Sequence, residues 1–365
     1  MTSAAGFPAS GNYYIMVDSE QMQVTAGQGT TTWTVTRGTN GTTATTHTVA
    51  TTVFQSATTV IPVEPFFFEP KVNRYKPKLM RDSFVAYYES IIVSEVSELK
   101  GMKLPATFET LSWLLQYAVG PVTPTGGPAY TWPYAPVNSS DTILGMGVEM
   151  YNDTAAYHVA AAYCDQIVLD IVRGTDSAML TMDFLGQMAF AMGAKTPGLT
   201  SPVAPGADFM NLINPAYTSV YLDDTTYGTT LRNDFESAKL TIKNGIQQLF
   251  FLNGVLYPTA IARAQRFLDL ELVQWFDNAT ELANAMNAVG NGQYRKVQVT
   301  ANGPAIGTTG TDNALTVKAG LYWDTFPFKV DKDVWALTMT GATVYDPGQG
   351  NDWSMSLVNG IASAS

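Results

Sequence analysis

Residues 107–118, with the sequence TFETLSWLLQYA, interrupt a chain that is otherwise patterned mostly as strands. The apolar residues of this segment lie at i, i+3, i+6, i+7 and i+10, which places them on one face of a helix: Phe108, Leu111, Leu114, Leu115 and Ala118. Pro105 and Thr107 are start signals, and Gly120 with Pro121 stops the helix. The segment therefore predicts a short helix inside a mainly β chain.

Strand patterns surround this helix, and their order recurs later in the chain. The first set of strand-like runs covers residues 84–99, 143–151, 157–170 and 178–185. After a stretch rich in Pro and Gly at 196–207, the second set covers 238–243, 247–251, 267–276, 295–300, 314–322, 334–340 and 352–358. A second helix is predicted at 280–289, among the strands of this second set. The order of elements predicts two related halves, although no residue-for-residue repeat is present.

The first 60 residues have a different character. Short alternating runs such as 13–17 and 21–24 are separated by turn signals, and 42–52 is rich in threonine. We expect a small all-β module at 1–60, a hinge or arm at 61–78, one half at 79–195, a linker at 196–210 and the other half at 211–365.

Charge is scarce in this protein. Only 14% of its 365 residues are charged, 46% are hydrophobic, and the formal net charge is −11. A free monomer usually keeps a densely charged surface, so we expect much of this surface to be buried against other copies of the chain. The acidic balance argues against a surface that binds nucleic acid. The single cysteine excludes an internal disulfide, and the sequence has neither a signal-peptide pattern at its start nor an apolar run long enough to span a membrane.

The sequence predicts no catalytic centre, cofactor or metal site. It has no phosphate-binding loop, no HExxH and no GxSxG motif. A hydrolase is one alternative function, and its nucleophile pair would be Cys164 and His158. These two residues are six positions apart on one predicted strand, so about 20 Å separates them when the strand is fully extended. The acidic groups Asp223-Asp224, Asp269/Glu271 and Asp331/Asp333 lack the spacing of a calcium loop.

A second alternative function, besides the hydrolase, is binding of a carbohydrate or a receptor by a tail or adhesin module. Tyr13, Tyr14 and Trp33 of the N-terminal module are the best candidates for a sugar platform. Aromatic residues in strands are more often core or interface residues, which is the competing interpretation.

Two parts of the chain resemble the tail tube (major tail) proteins of long-tailed bacteriophages. The first part, roughly 80–190, contains FETLSWLL at 108–115, YTWP at 130–133, GVEM at 147–150 and AMLTMDFLGQ at 178–187. The second, roughly 235–360, contains AKLTIKNG at 238–245, LYPTAIAR at 256–263, YDP at 345–347 and WSMSLVN at 353–359. The N-terminal module, with EQMQVT at 20–25, is similar to small β modules of other phage tail components.

The resemblance implies a structural virion protein and not an enzyme. Its fold would be two tandem tail-tube β-sandwich or barrel domains, each with one flanking α-helix, plus the small N-terminal β module. Sheets of such domains join side by side into rings, and the stacked rings conduct phage DNA during ejection. Two domains per chain imply trimeric, pseudo-sixfold rings, with a hexamer as the alternative. The implied partners are further copies of the chain and the tape measure, tail-tip and tail terminator proteins. The implied location is the virion tail, with assembly in the host cytoplasm and no membrane contact; DNA passes without specific binding.

The resemblance also suggests where the ring contacts and the lumen lie. An acidic lumen wall would repel phosphate, and the candidate residues for it are Asp165, Asp170, Asp269 and Glu271. The candidates for contacts between rings are Lys71, Arg74, Lys76, Lys78, Tyr130 and Trp132. Three irregular stretches are candidate stacking arms, at 61–78, 121–138 and 303–312.

Overall fold

The structure is a computed structural model. It describes residues 7, 12–17, 20–39, 43–49, 53–55, 61, 63–64, 69–75, 91–136, 144–151, 156–174, 177–186, 191–193, 211–252, 256, 258, 260–275, 294–325, 328–331 and 334–362. The predicted linker at 196–210 and the predicted helix at 280–289 lie outside these residues. Within them the chain is mainly β and forms more than one sheet.

The N-terminal module is a four-stranded antiparallel sheet in the order β3–β2–β1–β4. Its strands are β1 (Tyr13–Val17), β2 (Glu20–Ala26), β3 (Thr34–Thr36) and β4 (Val53–Gln55). Alternate residues of β1 and β2 form a small core, which consists of Tyr13, Ile15, Val17, Met22 and Val24. This core is separate from the main one, so the module has a hydrophobic centre of its own.

The rest of the described chain contains nineteen strands, one α-helix, α1 (Phe108–Ala118), and one short 3-10 helix at Pro215–Tyr217. The strands are β5 (Glu69–Tyr75), β6 (Ile91–Pro105), β7 (Thr125–Gly126), β8 (Tyr130–Tyr134), β9 (Gly145–Tyr151), β10 (Ala156–Val172), β11 (Met179–Gly186), β12 (Ala191–Gly193), β13 (Thr218–Asp223), β14 (Leu231–Arg232), β15 (Phe235–Lys243), β16 (Ile246–Leu249), β17 (Ala260–Arg263), β18 (Phe267–Trp275), β19 (Arg295–Ala305), β20 (Asp312–Thr325), β21 (Phe328–Asp331), β22 (Val334–Val344) and β23 (Trp353–Asn359). Most of the predicted strand runs coincide with these strands.

Eight antiparallel strands follow one another in the order β5–β6–β11–β10–β15–β18–β22–β21, and we call them the central sheet. The strand β20 pairs with β22 and continues into a second layer that contains β13, β19, β23 and β8. The two layers form a barrel-like sheet round one main hydrophobic core. That core takes residues from both halves of the sequence, from Leu99 to Leu357.

Helix α1 begins and ends close to the predicted positions. The Thr107 hydroxyl accepts a 3.0 Å hydrogen bond from the Thr110 backbone N–H, and the Thr110 hydroxyl accepts one from the Thr107 N–H, which satisfies two groups that a helix start leaves free. The apolar face of the helix is buried in the main core beside β10, β20 and β23. The helix therefore joins strands that are distant in sequence.

One prediction about the chain path is corrected. Residues 61–78 are predicted as a hinge or arm, but Glu69–Tyr75 form β5, which pairs with β6 from Glu69↔Glu98 to Tyr75↔Ile91. Pro70 obscures the strand pattern, because proline lacks the N–H that a strand interior needs. Such a residue is tolerated on an edge strand, and β5 pairs only with β6 among the described residues.

Candidate functional site

The two sides of the central sheet differ in chemistry because alternate strand residues point in opposite directions. On one side the apolar residues of each strand, such as Leu169, Leu240 and Leu270, are buried in the main core. The intervening residues form what we call the polar face. They line a cavity of about 890 Å³, whose polar lining residues are Glu64, Lys103, Gln166, Asp170, Thr181, Lys239, Thr241, Lys243, Asp269, Glu271 and Thr340.

Strand register places the charges of the polar face in rows across the sheet. Lys239 on β15 lies directly between Asp170 on β10 and Glu271 on β18, and Thr340 on β22 follows in the same row. In the next row Asp269 forms an ion pair with Lys243, in which 2.6 Å separates the carboxylate Oδ2 from Nζ. Opposite charges on neighbouring strands stabilise the pairing modestly, and exposed ion pairs contribute about 0–1 kcal/mol each.

Three of the four candidate lumen residues share this face. Asp170, Asp269 and Glu271 all line the cavity. The fourth, Asp165, lies at a β-bulge of β10, where its carboxylate accepts a 2.9 Å hydrogen bond from the Ile246 backbone N–H. The cavity lining contains four carboxylates and three lysines, so its charge is close to balanced where the sequence analysis expects an acidic wall.

Two of the basic candidates for contacts between rings, Lys71 and Arg74, lie on the exposed edge strand β5. Lys71 makes a 2.5 Å ion pair with Glu98 on β6, and Lys100 makes one of 3.0 Å with the same carboxylate. Partial burial opposes ionisation of Glu98, but the two lysines outweigh this effect and lower its pKa. Arg74 is exposed on β5, and Lys76 and Lys78 lie outside the described residues. Lys71 is therefore engaged within its own chain.

The two aromatic candidates for ring contacts are placed differently. Tyr130 is half-buried at the start of β8. Trp132 is fully buried, and its indole N–H donates a 3.0 Å hydrogen bond to Asn359. Trp132 is consequently a core residue whose side chain does not reach the surface, which corrects its expected place at a ring contact. A large aromatic in a strand fits either position, so the sequence alone does not separate them.

The candidate arms at 121–138 and 303–312 are each partly in strands of the sheet. The first contains β7 and β8, and β8 pairs with β23 from Tyr130↔Asn359 to Tyr134↔Met355. The second is the short connection between β19 and β20, in which Gly307 and Gly310 adopt positive φ values of 52° and 71°. Each stretch therefore combines paired strand residues with a turn, where the sequence predicts an irregular arm.

The strand run predicted at 247–251 is shorter in the structure, where β16 ends at Leu249 and the apolar residues that follow are exposed. Strands β16 and β17 form a separate two-stranded hairpin, and three consecutive apolar side chains, Phe250, Phe251 and Leu252, are exposed at its tip. The signal was present in the sequence as the run LFFL at 249–252, but an apolar run of this length is equally compatible with a buried strand.

Three residues considered for catalysis or sugar binding, Cys164, Tyr13 and Trp33, are packed at least partly inside the protein. Burial raises the pKa of the Cys164 thiol, which lies fully inside the core and contacts the Gln166 carbonyl at 3.5 Å. Tyr13 belongs to the core of the N-terminal module and packs edge to face at 5.7 Å with Trp33, which is partly buried against that core, as is Phe7. Among the described residues, no cluster of three or more His, Cys, Asp or Glu side chains suits a metal ion.

Comparisons with protein-family models and with curated proteins find no match to this chain. No helix in the described part of the chain is both long and apolar enough to cross a membrane.

Proposed function

We propose that this chain is a tail tube subunit of a long-tailed bacteriophage, which assembles into stacked rings that conduct viral DNA. The observation that carries the proposal is the pairing of β10 with β15, from Gln166↔Lys243 to Val172↔Ser237. This pairing joins strands from the two halves of the sequence into one sheet, whose polar face also contains the apolar residues Val168 and Met179. Such a sheet suits a wall that separates a solvent-filled channel from a hydrophobic core.

The two edge strands of the central sheet, β5 and β21, support assembly by side-by-side pairing. Among the described residues β5 pairs only with β6 and β21 pairs only with β22, so each has an unpaired side at which a neighbouring copy can add. An unpaired sheet edge is a template for another strand, and closing a ring removes it. In this arrangement β5 of one copy pairs with β21 of the next.

The number of strands favours three copies per ring over six. Eight strands from each of three chains close at a backbone diameter of roughly 48 Å, for strands about 4.8 Å apart and tilted about 40°. A channel of this size admits one DNA duplex after side chains are allowed for. Six chains would double the diameter. The two tube-like halves of one chain then supply the pseudo-sixfold repeat.

The polar face lines the channel in this proposal, with α1 on the core side of the sheet. Paired lysines and carboxylates give the wall little net charge, so it neither attracts nor strongly repels the phosphates of a passing duplex. The proposal includes the tape measure, tail-tip and tail terminator proteins as partners and the virion tail as the location.

Negative-stain microscopy of the purified chain, alone and after addition of a tail-tip complex as a seed, tests the proposal. We expect hollow tubes with a regular axial repeat, and native mass spectrometry of disassembled tubes is expected to show trimers. Monodisperse monomers at high concentration, with no tubes even after seeding, would overturn it. Hexameric rings would retain the tube function and overturn the number of copies.

A further inference from the structure

The two ends of the central sheet carry separate exposed apolar groups. At one end, where Lys243 pairs with Phe267, the β16–β17 hairpin presents Phe250, Phe251 and Leu252. We call these three residues the hairpin tip. At the opposite end, where Val172 pairs with Ser237, the segment 211–218 exposes Leu212 and Tyr217.

The hairpin is anchored to the body of the protein at two points close to its tip, one on β16 and one in the connection between β16 and β17, which makes the tip a defined surface. The Gln248 side-chain amide donates a 2.7 Å hydrogen bond to the Gly186 carbonyl at the end of β11. The Glu95 backbone N–H donates one of 2.7 Å to the Leu256 carbonyl. Despite these anchors Leu252 is fully exposed and Phe251 is 57% exposed. Contiguous exposed apolar groups on a soluble fold indicate an interaction surface.

The segment 211–218 is also held in place. The Ile213 backbone N–H donates to the Ala106 carbonyl, and the Ile213 carbonyl accepts from the Ala178 N–H, both at 2.8 Å. These bonds tie the segment to the ends of β6 and β11. Tyr217 nevertheless remains 66% exposed. Leu212 is exposed too, beside the isolated bridge from its own backbone to Thr107.

We propose that the hairpin tip of one copy packs on the 211–218 segment of a second copy of this chain, so that copies stack end to end along the central sheet. Two different surfaces near opposite ends of β15 make a head-to-tail contact, which repeats without closing when the copies are translated along one axis. Because only 14% of the residues are charged, few charges oppose such a contact. The inference rests on the proposed tube function and identifies the contact between successive rings.

The first test of the contact replaces apolar side chains of the hairpin tip by serine. The variant F251S/L252S is expected to form trimeric rings of unchanged mass while tube formation falls at least tenfold in microscopy. The control V49S changes a fully exposed apolar residue of the N-terminal module and is expected to form tubes like the unchanged chain. Circular dichroism verifies folding of both variants. Tubes of normal length from F251S/L252S would overturn the inference.

Cross-linking tests the direction of the contact. Leu252→Cys chains and Tyr217→Cys chains, carrying different affinity tags, are mixed under assembly conditions and treated with a flexible bismaleimide; the native Cys164 is buried and serves as an internal control. We expect a product containing both tags, and little product from either chain alone. Products from a single chain, or tubes without a mixed product, would overturn the head-to-tail contact and leave the tube function standing. A chain that stays monomeric would overturn both.

Discussion

The indole N–H of Trp132 donates a 3.0 Å hydrogen bond to the side-chain oxygen of Asn359, although 227 residues separate the two. The amide of Asn359 in turn donates a 2.8 Å hydrogen bond to the Phe108 carbonyl on helix α1. Both Trp132 and Asn359 are fully buried. Asn359 thus connects the helix, the β8 strand and the last strand of the chain inside one core.

Replacement of Asn359 by Ala is expected to lower the free energy of unfolding by about 2–4 kcal/mol, because it leaves two buried polar groups without their partner. Urea unfolding followed by circular dichroism measures this loss. The variant Trp132→Phe keeps a ring but removes the donor, and is expected to destabilise the same transition. A loss below about 0.5 kcal/mol for Asn359→Ala, which is the effect of an ordinary surface change, would contradict the assigned role.

Arg266 closes the end of helix α1. Its guanidinium donates a 2.6 Å hydrogen bond to the Val119 carbonyl and a 2.9 Å hydrogen bond to the Asn244 side chain. Burial lowers its pKa to about 10, so it remains charged at neutral pH. Arg266→Met is expected to destabilise the fold by about 1–3 kcal/mol. Hydrogen exchange at the Val119 amide, which bonds to Leu115, is expected to accelerate locally; unchanged exchange there would exclude the capping role.

We expect Glu20 to control the stability of the N-terminal module in acid. Its buried carboxylate accepts hydrogen bonds from Arg37, from the backbone N–H groups of Gly38 and Thr45, and contacts His47 at 2.9 Å. The Arg37 bond is the main cause that lowers the Glu20 pKa to about 2, from an ordinary value of 4.5. A lowered pKa means that the ionised form stabilises the folded state. That stabilisation is complete above about pH 4.5 and is lost as the pH falls toward 2.

The acid dependence can be measured by NMR of the β1 and β2 amides between pH 6 and 2. We expect progressive loss of the folded signals of this module below about pH 4.5. Glu20→Gln is expected to be less stable at neutral pH and to show a weaker pH dependence in that interval, because it carries no titrating carboxyl group there. An identical pH profile in the two proteins would contradict the role of Glu20.

Charge alternation on the polar face predicts a salt-dependent effect. Lys239→Glu places three carboxylates in one row, with Asp170 and Glu271 on either side. We expect a loss of about 1–2 kcal/mol at low ionic strength, because cross-strand attraction becomes repulsion. In 1 M NaCl much of this loss should disappear, since screening then acts within about 3 Å. The neutral Lys239→Gln is the matched control; a loss that does not respond to salt would indicate a packing defect instead.

Local patterns were sufficient for the parts of the fold whose signals lie within a few residues. Helix α1 follows from its 3.6-residue period and its Thr107 cap, and strands such as β11 and β15 follow from alternation. The strand β5 was missed because Pro70 and the charges of an edge strand resemble those of a loop. Each of these predictions succeeded or failed according to whether the side chains nearby in sequence are enough to tell a strand from a helix or a loop.

The candidate site was predicted in part for the same reason. Asp170, Asp269 and Glu271 were selected as candidate lumen residues, and the strand register places these three on one face. The sequence did not show that Lys239 lies between two of them, because its partners are 69 residues back and 32 residues ahead in the chain. Nor did it show that the Trp132 side chain is buried, since its partner Asn359 lies on the last strand.

The sequence by itself determined a mainly β chain, the position of α1, and which residues alternate between core and surface, because these depend on backbone period and on hydrophobicity within a short window. Only the tertiary structure decided that β10 joins β15, that α1 packs under strands from the end of the chain, and that the hairpin tip is left exposed. Those outcomes depend on pairings between distant segments, whose hydrogen bonds are alike for any sequence. The choice among them is made by packing of the whole core.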